Sequence, residues 1–172
     1  MEHRWIVGPI VVAMREHGSG RRSPTARGTG EEMLAQLIRE FVGVDLPVGR
    51  RCPNCGAADH GRPTVQGNVL TLSVSYGSGA VAVAAAPSAA IAALGVDIEE
   101  GAADVEAIPG ITLRDWARVE AAMKADGRAA LLDPSAALLH PDGVRFPGAR
   151  AWVSTVLDAP AGFQLALAHR AL

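Results

Sequence analysis

This 172-residue sequence predicts an α+β fold in which antiparallel sheets pack against helices. Two stretches carry the helical signal: apolar residues recur at three- and four-residue spacing through 31–42 and 113–127, each with a glycine at its end. Between and around them lie short runs rich in Val, Ile and Ala, separated by turns containing Gly, Pro and Ser, the pattern of antiparallel strands. Hydrophobic residues make up 49% of the chain but aromatic residues only 4%, so aliphatic side chains and alanines must fill the interior.

Taken in order, residues 5–14 are rich in Val and Ile and read as a strand. Residues 17–30 read as a loop that carries Arg21, Arg22 and Arg27. Met33, Leu34, Leu37, Ile38 and Phe41 form one helical face, and Gly43 is placed to stop that helix. Residues 44–63 hold many turn formers and read as a loop. Alternation in 65–75 reads as a strand, Gly77-Ser78-Gly79 as a turn, and 80–86 as a second strand. A third strand, 91–98, follows a turn at Pro87-Ser88, so the three read as an antiparallel meander. Residues 104–110 read as a link. The helix over 113–127 has Asp115 and Glu120 early and Gly127 at its end. Short strands are predicted at 144–146, 151–157 and 163–169, the last two joined by a turn at 158–162. The whole reads as one domain, 1–172, with approximate lobes 1–94 and 95–172.

A formal net charge of -2 carries no general signal for nucleic acid or an anionic membrane as partner. The longest apolar stretch, 80–96, is interrupted by Pro87 and Ser88 and is too weak for a membrane span. The start of the chain lacks a continuous apolar region and reads without a signal peptide. Two cysteines in a chain of this length are not a disulfide framework, and a cytoplasmic protein is expected.

Two motifs carry chemistry. In Gly95-Val96-Asp97-Ile98-Glu99, a strand places the Asp97 and Glu99 carboxylates on one face. Like charges so placed repel unless a cation lies between them, and Mg²⁺ is a natural occupant because it takes hard oxygen ligands. In the helix, Trp116, Glu120 and Lys124 are successive i,i+4 positions on one face. Alone, the first motif also reads as a solvated strand end, and the second as a surface ion pair worth about 0.3–0.5 kcal/mol.

Together and in this order, the two motifs resemble the signature of the 4′-phosphopantetheinyl transferase superfamily. Gly95 to Glu99 resembles its G-[IV]-D-[IVL]-E motif, and Trp116 to Gly127 its W-x-x-K-E-A-x-x-K-x-x-G motif. His60-Gly61-Arg62-Pro63, the strand and turn through Leu72 to Gly77, and the closing segment Ala159 to Ala168 are similar to further pieces in the same order. The likeness runs over roughly Arg21 to Leu172. It implies a two-lobed α+β fold with a pseudo-twofold axis, or a trimer as in the short holo-acyl-carrier-protein synthase branch. The implied reaction moves the 4′-phosphopantetheine arm of coenzyme A onto a serine of an acyl or peptidyl carrier protein. By the same resemblance, Asp97, Glu99 and Glu120 would bind Mg²⁺ on the coenzyme A pyrophosphate. Glu120, or a water on the metal, would help deprotonate the serine, and Lys124 would stabilise the departing phosphate. Arg62 would contact the 3′-phosphate, and Ser75 and Tyr76 would approach the nucleotide phosphates; as an exposed loop arginine, Arg62 has an equally plain reading. The Ala-, Gly- and Arg-rich composition fits a GC-rich bacterial genome, where polyketide and nonribosomal pathways use such carriers.

The pattern is also broken. Val119 stands where the lysine before the helix glutamate usually lies, Tyr76 where a histidine is usual, and the gap from Glu99 to Trp116 is short. These departures leave an alternative: a catalytically impaired module of the same fold that binds coenzyme A or a carrier protein. Cys52-Pro53-Asn54-Cys55-Gly56 is a zinc half-site; His60 is a candidate third ligand, and His3 or His17 a fourth. Two thiols borne on a loop are its plain reading.

Overall fold

The computed structural model describes residues 1–18, 20, 23–52, 55–58, 61–128 and 131–172. Its first half is a four-stranded antiparallel sheet with one helix on its outer face. The strand expected through 5–14 is a hairpin of β1 (Glu2–Val7) and β2 (Ile10–Glu16). It folds back at Gly8, whose φ of 57° is left-handed, and Pro9, which has no N–H to give a ladder. Helix α1 (Pro24–Val42) starts earlier than apolar spacing predicts. The Ser23 hydroxyl accepts from the Ala26 amide, and Pro24 opens the first turn. Gly28 and Gly30 weaken the helical signal there without stopping the helix. Gly43, at φ 82°, ends it as expected.

The expected loop 44–63 holds β3 (Val48–Arg51), which pairs with β4 (Arg62–Val65) as a small antiparallel hairpin. Val65 closes that hairpin, so the strand expected from residue 65 begins instead at Leu70. It forms β5 (Leu70–Tyr76), which turns at 77–79 into β6 (Ala80–Pro87). The sheet order is β1-β2-β6-β5.

The expected meander ends there. Strand β7 (Ile91–Glu100) does not pair with β6 but joins a second sheet. That sheet contains β10 (Leu138–His140), β11 (Gly143–Arg145), β12 (Trp152–Leu157) and β13 (Phe163–Ala171), in the order β10-β11-β12-β13-β7. The expected link carries a short hairpin, β8 (Glu106–Ile108) and β9 (Ile111–Thr112), that leads into α2 (Leu113–Asp126). Thr112 caps α2 by accepting from the Asp115 amide, and Gly127, at φ 82°, ends it.

Alternation along the strands sets four layers: α1, first sheet, second sheet, α2. On β6, Val81, Val83 and Ala85 face Met33, Leu34, Leu37 and Ile38 of α1. The intervening Ala80, Ala82, Ala84 and Ala86 face Leu94, Val96, Ile98, Leu165 and Leu167 of the second sheet. Alanine on one side and larger aliphatics on the other let the sheets approach closely without aromatic side chains. A third cluster joins Ala117, Ala121 and Ala125 of α2 to Ala93, Ala166, Ala168, Phe146 and Trp152. Each fully buried Leu or Ile in these layers contributes about 1.5–3 kcal/mol relative to exposure. Among the described residues, no helix is long and apolar enough to cross a membrane.

Candidate metal centre

On β7, Leu94, Val96 and Ile98 point into the space between the sheets. Ala93, Gly95, Asp97 and Glu99 therefore face α2. Gly95 decides how near that helix lies: a Cβ there would sit 2.0 Å from the Ala121 carbonyl oxygen and 2.6 Å from the Ala125 amide nitrogen. Only glycine lets α2 rest on the strand backbone at this level. The close seating puts Glu120 and Lys124 over the strand end that carries Asp97 and Glu99. Asp97, Glu99 and Glu120 each offer a carboxylate oxygen, and these lie within 4.8 Å of one another. Among the described residues, no other three His, Cys, Asp or Glu side chains come together in this way.

Asp97 is fully buried. Its Oδ1 accepts from the Ser75 hydroxyl at 2.8 Å and from Lys124 Nζ at 2.5 Å, and Lys124 Nζ also donates to Ser75 Oγ at 2.7 Å. Ser75 belongs to the other sheet, and it reaches Asp97 because β5 runs along the open edge of β7. There the Val96 amide donates to Ser73 Oγ at 3.0 Å and the Ile98 amide to Ser75 Oγ at 3.4 Å. Two serine hydroxyls thus take edge amides that have no strand partner.

The second oxygen of Asp97, Oδ2, is buried without a hydrogen-bond partner. Such an oxygen loses its hydration and gains nothing in return, a cost of order 1–3 kcal/mol or more for a charged group. That oxygen and the make-up of the cluster fit a hard divalent cation: the donors are all carboxylate oxygens, with neither sulfur nor imidazole among them.

The remaining expected site residues fall elsewhere. Tyr76 follows Ser75 and so points to the opposite face of β5, against α1, where its hydroxyl accepts from Arg50 at 3.0 Å. Arg62 lies at the C-terminal end of α2, donating to the Lys124 and Ala125 carbonyls at 2.8 Å each. Burial there pulls its guanidinium below the usual arginine range. Val119 is fully buried in the α2 core. Arg118 does not replace the missing lysine: it pairs with Asp115 at 2.9 Å and donates to the His140 and Gly143 carbonyls, tying α2 to the β10–β11 turn. Arg27 is exposed on α1, Cys52 is half-buried and Cys55 exposed. The Cys52 carbonyl accepts from the Gly56 amide at 2.9 Å. Arg21, Arg22 and His60 lie outside the described residues.

Sequence reasoning missed Ser73, although Ser-x-Ser on a strand signals two hydroxyls on one face. It also missed Arg150, Arg170 and Trp152, which come together only through strand pairing. No protein-family model and no curated protein matches the chain.

Proposed function

We propose that this chain is a Mg²⁺-dependent transferase that moves the 4′-phosphopantetheine group of coenzyme A to a serine of an acyl or peptidyl carrier protein. The observation that carries the reading is the meeting of the Asp97, Glu99 and Glu120 carboxylates within 4.8 Å of one another, with Oδ2 of Asp97 buried and partnerless. The order of the two motifs, one on β7 and one on α2, supports the family to which the reaction belongs.

Asp97, Glu99 and Glu120 would hold the ion, which when bound would supply positive charge against a diphosphate. Glu120, half-buried on α2, takes the proton of the incoming serine hydroxyl. Lys124, with its side chain 30% exposed, keeps its ammonium at the rim of the cluster and meets the departing phosphate. Ser75 positions both Asp97 and Lys124 through its hydroxyl. The serine oxygen forms the new P–O bond, and adenosine 3′,5′-bisphosphate leaves with the electron pair of the broken one. A cytoplasmic setting, where coenzyme A and carrier proteins meet, belongs to the same proposal.

Incubation with coenzyme A, Mg²⁺ and apo acyl or peptidyl carrier proteins tests it, read by intact mass. A gain of about 340 Da on the carrier serine is expected. No gain at high enzyme concentration, with coenzyme A binding intact, favours the second reading, a binding module of the same fold. The burial of Val119 favours that reading, because a core side chain has replaced a cation beside Glu120. Absence of both transfer and coenzyme A binding defeats the two together.

A further inference from the structure

A cavity of about 410 Å³ opens beyond the C-terminal end of α2. Arg62, Arg128, Arg150 and Arg170 line it together with Trp152, and Asp126 is the single carboxylate among its described lining residues. In a chain of net charge -2, this is a strong local excess of positive charge. Part of it is already engaged: Arg128 pairs with Asp126 at 2.6 Å, and Arg62 caps the helix carbonyls. Arg150 and Arg170 have no carboxylate partner among the described residues. The Arg170 guanidinium instead lies over the Trp152 ring, 4.7 Å from its centroid, which holds its planar fork in place. The Trp152 indole, 2% exposed, has an Nε1 donor without a partner.

Strand pairing keeps the cavity apart from the acidic cluster. On β7, Ala93 pairs with Arg170 whereas Asp97 pairs with Ala166. Four residues along a strand are about 13 Å. One end of the β7–α2 layer is therefore acidic and the other basic. Guanidiniums bind phosphate oxygens in pairs, and several around one small cavity suit a compact ligand with more than one negative charge. We propose that the Arg62–Arg128–Arg150–Arg170 cavity is a metal-independent site for a phosphate or diphosphate group. The site shares Arg62 with the coenzyme A contacts that the resemblance implies, but none of the carboxylates at 97, 99 and 120 takes part, and the variants that test it are at Arg150 and Arg170.

Calorimetric titration of the full chain with inorganic phosphate and with pyrophosphate, in EDTA, tests this, with tryptophan fluorescence in a Trp5→Phe, Trp116→Phe background as a second readout. Binding is expected, tighter for pyrophosphate, unchanged in Asp97→Asn, and weakened about tenfold or more in Arg150→Ala and in Arg170→Gln. Arg150 is exposed, so its variant keeps the fold. Malonate, a dicarboxylate of similar charge, is expected to bind more weakly than pyrophosphate. Absence of binding by either phosphate probe overturns the proposal. So does binding that survives in Arg150→Ala and Arg170→Gln but vanishes in Asp97→Asn. A failure of carrier modification leaves this result untouched, and the reverse holds too.

Discussion

Asp97 and Lys124 are 27 residues apart in the chain, yet the lysine ammonium lies 2.5 Å from Oδ1 of the buried aspartate. The contact joins the last third of β7 to the last turn of α2, and Ser75 of the other sheet completes it. One hydrogen-bonded group thereby ties together both sheets and a helix at the candidate metal centre.

Removing one partner of this pair leaves the other charge stranded. Lys124→Met should lower unfolding stability toward the smaller end of the about 3–5 kcal/mol typical of a broken buried pair, since Lys124 is partly exposed. Asp97→Asn combined with Lys124→Met should recover part of that loss. Urea denaturation of the two single variants and the double variant measures the coupling; strict additivity would deny it.

Under the proposed function, Asp97→Ala should abolish Mg²⁺-dependent transfer while far-ultraviolet circular dichroism stays close to that of the parent. Lys124→Ala should reduce kcat more than coenzyme A affinity; an equal loss of both would reduce Lys124 to a substrate contact.

Mg²⁺ at about a hundred times its Kd should stabilise the parent chain by about 2.7 kcal/mol, seen as a rise in Tm. Asp97→Asn and Glu120→Gln should lose that rise. Equal Tm shifts in parent and variants would place the ion somewhere else.

Gly95→Ala should unfold the second half of the molecule or push α2 off it, at a cost of about 3 kcal/mol or more, because the new methyl would lie 2.0 Å from a backbone oxygen. The same substitution should erase the Mg²⁺-dependent rise in Tm even though no carboxylate has changed. Thermal melts with and without Mg²⁺ report both effects.

Ser73→Ala should cost about 1–3 kcal/mol, the cost of leaving the buried Val96 amide without its acceptor. Hydrogen exchange at Val96 should rise well above that of Leu167, its neighbour across the β7–β13 ladder. Unchanged protection at Val96 would show that another group takes the amide.

Burial lowers the pKa of His169 below the usual histidine value of 6.5. Above pH 6.5 the ring is neutral in both the folded and the unfolded chain and adds no pH dependence. As pH falls below 6.5 the unfolded chain takes up a proton that the folded chain resists, so stability falls until the folded pKa is passed. Urea midpoints between pH 7.5 and 5 should decline less steeply in His169→Asn than in the parent.

The two helix ends, the hairpin turn at 77–79 and the shared face of Asp97 and Glu99 were legible because each is written locally. Gly43 and Gly127 follow apolar helical faces, and Asp-x-Glu on a strand places two side chains on one face whatever the strand pairs with. The β1–β2 turn, the β3–β4 hairpin and the early start of α1 were less legible. Their Gly, Arg and Pro content mimics loop, and tertiary packing overrides weak propensity.

By itself, then, the sequence determined the alternation, the caps and two same-face pairs, Asp97 with Glu99 and Glu120 with Lys124, because those depend on backbone periods of two and 3.6 residues. Tertiary structure alone decided that β7 leaves β6 for β13, that Ser73 and Ser75 cover its open edge, and that four arginines gather around one cavity. Such outcomes depend on which edges pair and how low a helix can seat. Those are set by the packing of all layers at once, and no local run of residues encodes them.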